Sequence, residues 1–180
     1  MRRDRCPHDG TPKRKTVHMK DPLEILETEH REGLEILRRM ESAAFSIEKD
    51  GFSAGAFDEI GQAVRLIDAG FRAHMEKEER FLFPLLARHG NGSLRTLCNE
   101  HLELWNSRND LYLCLRDVEE GRVHSKSINE LLRRVKLFVE HLREHIEKER
   151  TIVLPLTRQV LSRDEYEELG EQLAQNTSIA

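Results

Sequence analysis

The strongest constraint on this chain is a repeat, in which one apolar pattern recurs at an offset of 71 positions and carries polar residues with it. Over residues 53–88 the stripe reads Phe57, Ile60, Val64, Ile67, Phe71, His74, Glu78, Phe81 and Leu85. Over residues 125–158 it reads Ile128, Leu131, Val135, Phe138, Leu142, His145, Glu149, Ile152 and Leu156. Steps of three and four define one buried face of a helix in a bundle. The same offset relates Leu23, Leu26, His30, Gly33, Leu37 and Met40 to Leu94, Leu97, His101, Leu104, Arg108 and Leu111, Arg108 being the one polar exception. The chain therefore reads as a helical hairpin present twice.

Local signals place the ends of the rods. Asp21-Pro22 joins a good N-cap to the residue preferred at the first helical position. Later breaks fall at Asp50-Gly51, Gly90-Asn91-Gly92 and Gly121, followed by Ser53, Ser93 and Ser125 as N-caps. Four helices are predicted over residues 22–49, 53–88, 93–120 and 125–158, and Ser162 to Glu165 reads as a capping box opening a shorter fifth that reaches about residue 175. Short connections make neighbours antiparallel, so the expected fold is all-α, an up-down-up-down four-helix bundle over residues 21–158. Residues 1–20 read as a flexible basic tail and 159–180 as a short C-terminal helix and tail. Pro84 and Pro155 are expected to bend or end their rods.

Charge narrows the function classes. The net charge of −4 is divided unevenly: residues 1–20 hold seven Lys and Arg against Asp4 and Asp9, and the remainder carries −9. An acidic body argues against nucleic-acid binding. No apolar run is long enough to span a bilayer, and the start lacks the apolar stretch of a signal peptide. Cys6, Cys98 and Cys114 show no metal-binding spacing and read as reduced thiols in a cytoplasmic protein.

The chemistry lies where the seam turns polar. From His30 to the end of its helix is about 19 residues and from the next helix start to His74 about 21, equal heights at about 1.5 Å per residue. The second hairpin repeats this, so His30, His74, Glu78, His101, His145 and Glu149 should meet in one core layer. Buried carboxylates lose several kcal/mol each unless compensated, and imidazole with carboxylate is a standard ligand set for first-row transition metals. Two hairpins, each with two His and one Glu, suggest two ions about 3.5–4 Å apart, bridged by both Glu and an oxo or hydroxo group, with an open position for a small molecule. Iron fits best; manganese, cobalt or zinc would also be accepted. A metal-free His and Glu network, or a single structural ion, stays open on residue types alone.

The pattern His30, His74-x-x-x-Glu78, His101, His145-x-x-x-Glu149 resembles the hemerythrin-like HHE cation-binding family, across roughly residues 21–158. The resemblance implies a four-helix bundle around a non-haem di-iron site, with Glu78 and Glu149 bridging. Oxygen-carrying hemerythrins have a further His where this chain has Trp105, and an Asp where it has Arg150. The set of four His and two Glu is more similar to the di-iron domain of iron-centre repair proteins. What this implies is binding or sensing of a small diatomic or oxidant (dioxygen, nitric oxide or peroxide), or of iron or redox state. The alternative is an enzyme of nitrosative or oxidative stress defence that reduces peroxide or nitric oxide, or donates iron for cluster repair.

Other residues receive simpler expectations. His141, one turn before His145, flanks the seam and could orient a ligand or donate to a bound molecule, and Trp105 is a core residue that could shield the site. Cys98 precedes His101 by one turn and reads as an inert thiol. Glu76, Lys77, Glu147 and Lys148 are expected on a solvated face. His8, His18, His89 and His124 are expected to have no role.

Overall fold

A computed structural model describes residues 21–90 and 94–175, and these are helical nearly throughout. The N-terminal tail with Cys6, His8 and His18, and the Ser93 cap, lie outside the described residues. The helices are α1 (Pro22–Asp50), α2 (Ala54–Lys77), α3 (Phe83–Arg88), α4 (Leu94–Glu119), α5 (Ser125–Lys148), α6 (Leu154–Val160) and α7 (Arg163–Gln175). Helices α2 and α3 are joined by a π-helical turn, Glu78–Leu82, and α5 and α6 by another, Glu149–Val153. Each such pair forms one rod. The two hairpins, α1 with α2 and α4 with α5, then close into an antiparallel bundle in which α1 also packs on α5.

Most caps follow the local sequence. Asp21 accepts from the Leu23 N–H at 2.9 Å, and Ser53 accepts from Ala56 at 3.2 Å. Gly51 closes α1 at φ 90°, a left-handed conformation that costs glycine little. At α5 the cap is His124 and not Ser125: the His124 ring accepts from the Ser127 N–H at 3.1 Å, while Ser127 Oγ accepts from the His124 N–H at 3.2 Å. His89 also has a role, lying 3.0 Å from Glu165 and tying the end of α3 to α7. The capping box at Ser162 and Glu165 is formed, with Ser162 N–H donating to the Glu165 carboxylate at 2.9 Å. Helix α7 packs on α1 through buried Leu169 and Leu173, and the Tyr166 hydroxyl donates to Asp21 at 2.5 Å.

The π turns correct the expected seam. Phe83 N–H bonds to the Glu78 carbonyl five residues back, and Leu154 N–H to that of Glu149. Proline follows at once, at Pro84 and Pro155, where a missing N–H removes the bond that would restore the α register. One residue is thereby added to the turn, and the buried stripe moves on by one position. Leu82 and Val153 enter the core, Phe81 is only half-buried, and Ile152 is 61% exposed. The prolines neither end the rods nor simply bend them.

The core is split in two. One cluster, with Leu37, Met40, Ile60, Leu111, Leu131 and Leu142, fills the bundle toward the hairpin connections. The other, with Leu23, Leu26, Leu82, Leu86, Val153 and Leu169, fills the opposite end under α7. The polar layer lies between them. With the stripe moved on by one position, Leu82→Ala costs about 2–5 kcal/mol, whereas Ile152→Ala stays within about 0.5 kcal/mol. Urea unfolding of the two variants checks this, and the opposite order would indicate uninterrupted α-helix.

Candidate metal centre

Each ligand-type side chain reaches the layer because its helix places it on the inward stripe. His30 and His101 come from α1 and α4, His74 and His145 from the last turns of α2 and α5, and Glu78 and Glu149 open the two π turns. All six are buried, with exposures of 0–1%. Two overlapping groups result: His30, His74, Glu78 and Glu149, and Glu78, His101, His145 and Glu149, each with its donor atoms within 4.8 Å of one another. Both carboxylates belong to both groups. Glu149 turns Oε2 toward His30 Nε2 at 3.0 Å and Oε1 toward His145 Nε2 at 3.0 Å. Glu78 Oε2 lies 3.5 Å from His74 Nε2 and 3.6 Å from His101 Nε2.

Outer carboxylates set the imidazole tautomers. His74 Nδ1 lies 2.9 Å from Glu29, His101 Nδ1 2.7 Å from Glu79 and His145 Nδ1 3.2 Å from Glu100. A carboxylate only accepts, so each Nδ1 carries the proton and each Nε2 presents a lone pair inward. His74 Nε2 faces the Nε2 of His30, whose outer nitrogen has no partner, at 3.0 Å. Yet His101 Nε2 and His145 Nε2, both backed by carboxylates, face each other at 3.0 Å, and opposed lone pairs at that distance require a proton or a cation between them.

The carboxylates make the same demand. All four oxygens of Glu78 and Glu149 are buried without a hydrogen-bond donor, because the near imidazole nitrogens are off hydrogen-bond geometry. Burial, and next the charge on Glu149, push the Glu78 carboxyl well above its ordinary range. Burial works against charge on Glu149 too, but the surrounding imidazoles hold it well below that range. On His74, burial is overridden by the Glu78, Glu149 and Glu29 carboxylates, and the pKa is pushed up to about 10. His145 is raised in the same way, whereas burial lowers His30. Without metal the layer must be neutralised by protons. Imidazole nitrogens and unpartnered carboxylate oxygens are the donor set that a first-row divalent ion requires, so the residues fit one.

The six residues singled out from the repeat are thus brought together, and the supporting residues differ from expectation. His141 is exposed, and Trp105 is half-buried against the core beside Phe71, with Arg72 stacked 4.9 Å over its ring. Neither hydrogen-bonds to the six. Their orienting role falls to Glu29, Glu79 and Glu100, which sequence reasoning did not assign. The repeated dipeptides Glu29-His30 and Glu100-His101 carried a signal for two of them. Lys77 corrects the solvated-face expectation: it is 4% exposed, laying its stem along the helix interface so that its ammonium pairs with Glu29. Lys148 makes the matching pair with Glu100 at 2.9 Å from a half-exposed position, while Glu76 and Glu147 are exposed. These ammonium and imidazole partners hold Glu29 and Glu100 below the usual carboxylate range, although burial acts the other way. Burial, with Glu79 adding to it, pushes the Cys98 thiol up, keeping it protonated.

No helix among the described residues is long and apolar enough to cross a membrane. No curated protein matches the sequence. Residues 21–157 match the model of the hemerythrin HHE cation binding domain, a span that begins at the α1 cap and ends inside α6. A match that takes in both hairpins and all six buried residues leaves one assignment: the chain belongs to the hemerythrin HHE cation-binding family and is a metal-binding helical domain.

Proposed function

We propose that this domain holds two non-haem iron ions, with Glu78 and Glu149 shared between them, and that the pair binds a small diatomic or oxidant: dioxygen, nitric oxide or peroxide. The observation that carries the reading is the pair of buried carboxylates whose four oxygens lack donors and face both histidine pairs. When bound, the ions supply redox chemistry and open coordination positions. His30 and His74 would hold one ion and His101 and His145 the other.

The surroundings favour a very small ligand. The inner groups are closed to solvent, and the recess that adjoins them is about 250 Å³, bounded by Glu29, Gly33, Ile67, Phe71 and Lys77. The Phe71 ring stands between this recess and the layer, its centroid 4.6 Å from that of His74. It fits only because residue 33 is glycine, where a Cβ would stand 2.9 Å from Phe71 Cε2. Phe71 thus closes the layer off from the recess, against water and bulky molecules alike.

Two measurements test the assignment. Metal analysis with Mössbauer spectroscopy of the purified protein should find about two iron ions per chain, and Glu78→Ala with Glu149→Ala should remove both. Retention of two ions in that variant would contradict the reading. The second measurement concerns protons. His74, with a pKa of about 10, is protonated at neutral pH in the metal-free layer and must lose that proton to bind an ion. Affinity should therefore rise with pH, about tenfold per unit for each proton displaced. Calorimetric titration in buffers of different ionisation enthalpy should show proton release, and identical heats in all buffers would count against metal displacement of protons.

A further inference from the structure

The two halves of the metal centre are nearly copies, and the place where the copy fails separates them. The 71-residue offset carries Glu29 to Glu100, His30 to His101, His74 to His145, Lys77 to Lys148 and Glu78 to Glu149. It carries Glu79 to Arg150. Both are the second residue of their π turns, one after the shared carboxylate, and each is about half exposed. Glu79 accepts from His101 Nδ1 at 2.7 Å. Arginine has only donors to offer, and Arg150 turns instead toward Glu147, 3.5 Å away. His30 Nδ1 is left buried with no hydrogen-bond partner.

The consequence is an imbalance in the support of the imidazoles. In the His101 and His145 half both rings are backed by carboxylates, Glu79 and Glu100. In the His30 and His74 half only His74 is backed, by Glu29. The shared carboxylates do not discriminate, since Glu149 stands 3.0 Å from both His30 and His145. A carboxylate on the outer nitrogen fixes the tautomer and makes the inner nitrogen a stronger donor, and losing one such partner lowers metal affinity about 10–100-fold.

Resting on the metal reading above, we infer that the two positions are inequivalent: the His101 and His145 half takes and keeps the first ion, the His30 and His74 half holds the exchangeable one, and Glu79 is the positioning residue that creates the difference. The exchangeable position is also the one beside Phe71 and the recess that this ring borders.

The probe is zinc alone, supplied at one equivalent to the metal-free full chain before crystallisation, with anomalous diffraction at the zinc edge giving the occupancy of each position. The parent protein should place zinc in the His101 and His145 half about tenfold or more over the other. Glu79→Ala should bring the ratio near even. Glu79→Gln, which still accepts the hydrogen bond but lacks the charge, should lie between, an ordering that a purely structural role would not produce. Arg150→Glu, which gives His30 the partner that its copy has, should also bring the ratio near even while strengthening total zinc binding in a competition titration. Equal occupancy in the parent, preference for the His30 and His74 half, or no response to Glu79→Ala would each overturn the inference. Zinc in neither half would sink the metal reading itself, whereas zinc spread evenly would leave that reading standing and remove only this one.

Discussion

Two carboxylates and four imidazoles share a dry layer in which the inner nitrogens face one another in pairs at 3.0 Å and the carboxylate oxygens lack hydrogen-bond donors. Neutral side chains do not resolve this arrangement. Protons resolve it in part, at the cost of charged imidazoles in a low-dielectric interior, and divalent cations resolve it more completely because each ion accepts several lone pairs at once. The layer also divides the apolar core, with one cluster toward the hairpin connections and the other under α7. Packing on both sides fixes the heights of the helices, and the heights bring the six side chains together.

The π turns are the second organising element. They begin at Glu78 and Glu149, so the widened turn and the shared carboxylate coincide in both hairpins. An added residue in a helix usually costs stability, yet here it lets the chain continue through Pro84 and Pro155 while re-aiming everything downstream. Its effect reaches the core, where Leu82 and Val153 are buried in place of Phe81 and Ile152. It also sets the position of the next residue, Glu79 or Arg150, and through it the support of His101 and His30.

Duplication explains why the site is so nearly symmetric, and drift since duplication explains its asymmetries. Gly33 and Gly70, which line the Phe71 recess, correspond to Leu104 and His141 in the second hairpin, so side chains stand there at the positions that the recess leaves bare. His101 stacks on Phe83 at 5.6 Å, whereas His30 lies 6.4 Å from Phe71, a different helical position. A nearly symmetric set of inner side chains thus has two unlike surroundings.

Much of this was legible in one dimension. Helical periodicity is a local property, so the stripe, the rods, most caps and the offset of 71 could be read directly, and equal loop-to-histidine lengths sufficed to predict one layer. Family membership followed from the same residues. The π register was not legible, because proline within a helical pattern is compatible with a kink, an end or an added residue, and only packing against the facing rods selects among them. Nor were the partners of the imidazoles: Glu29, Glu79, Glu100 and Lys77 look like surface charges until neighbouring helices bring a ring nitrogen or a carboxylate within reach. The chain's order alone determined which residues lie on the inward stripe, since that depends on 3.6-residue spacing within each helix. Which outer nitrogen finds an acceptor depends on the contact between helices, and that was decided by the tertiary structure.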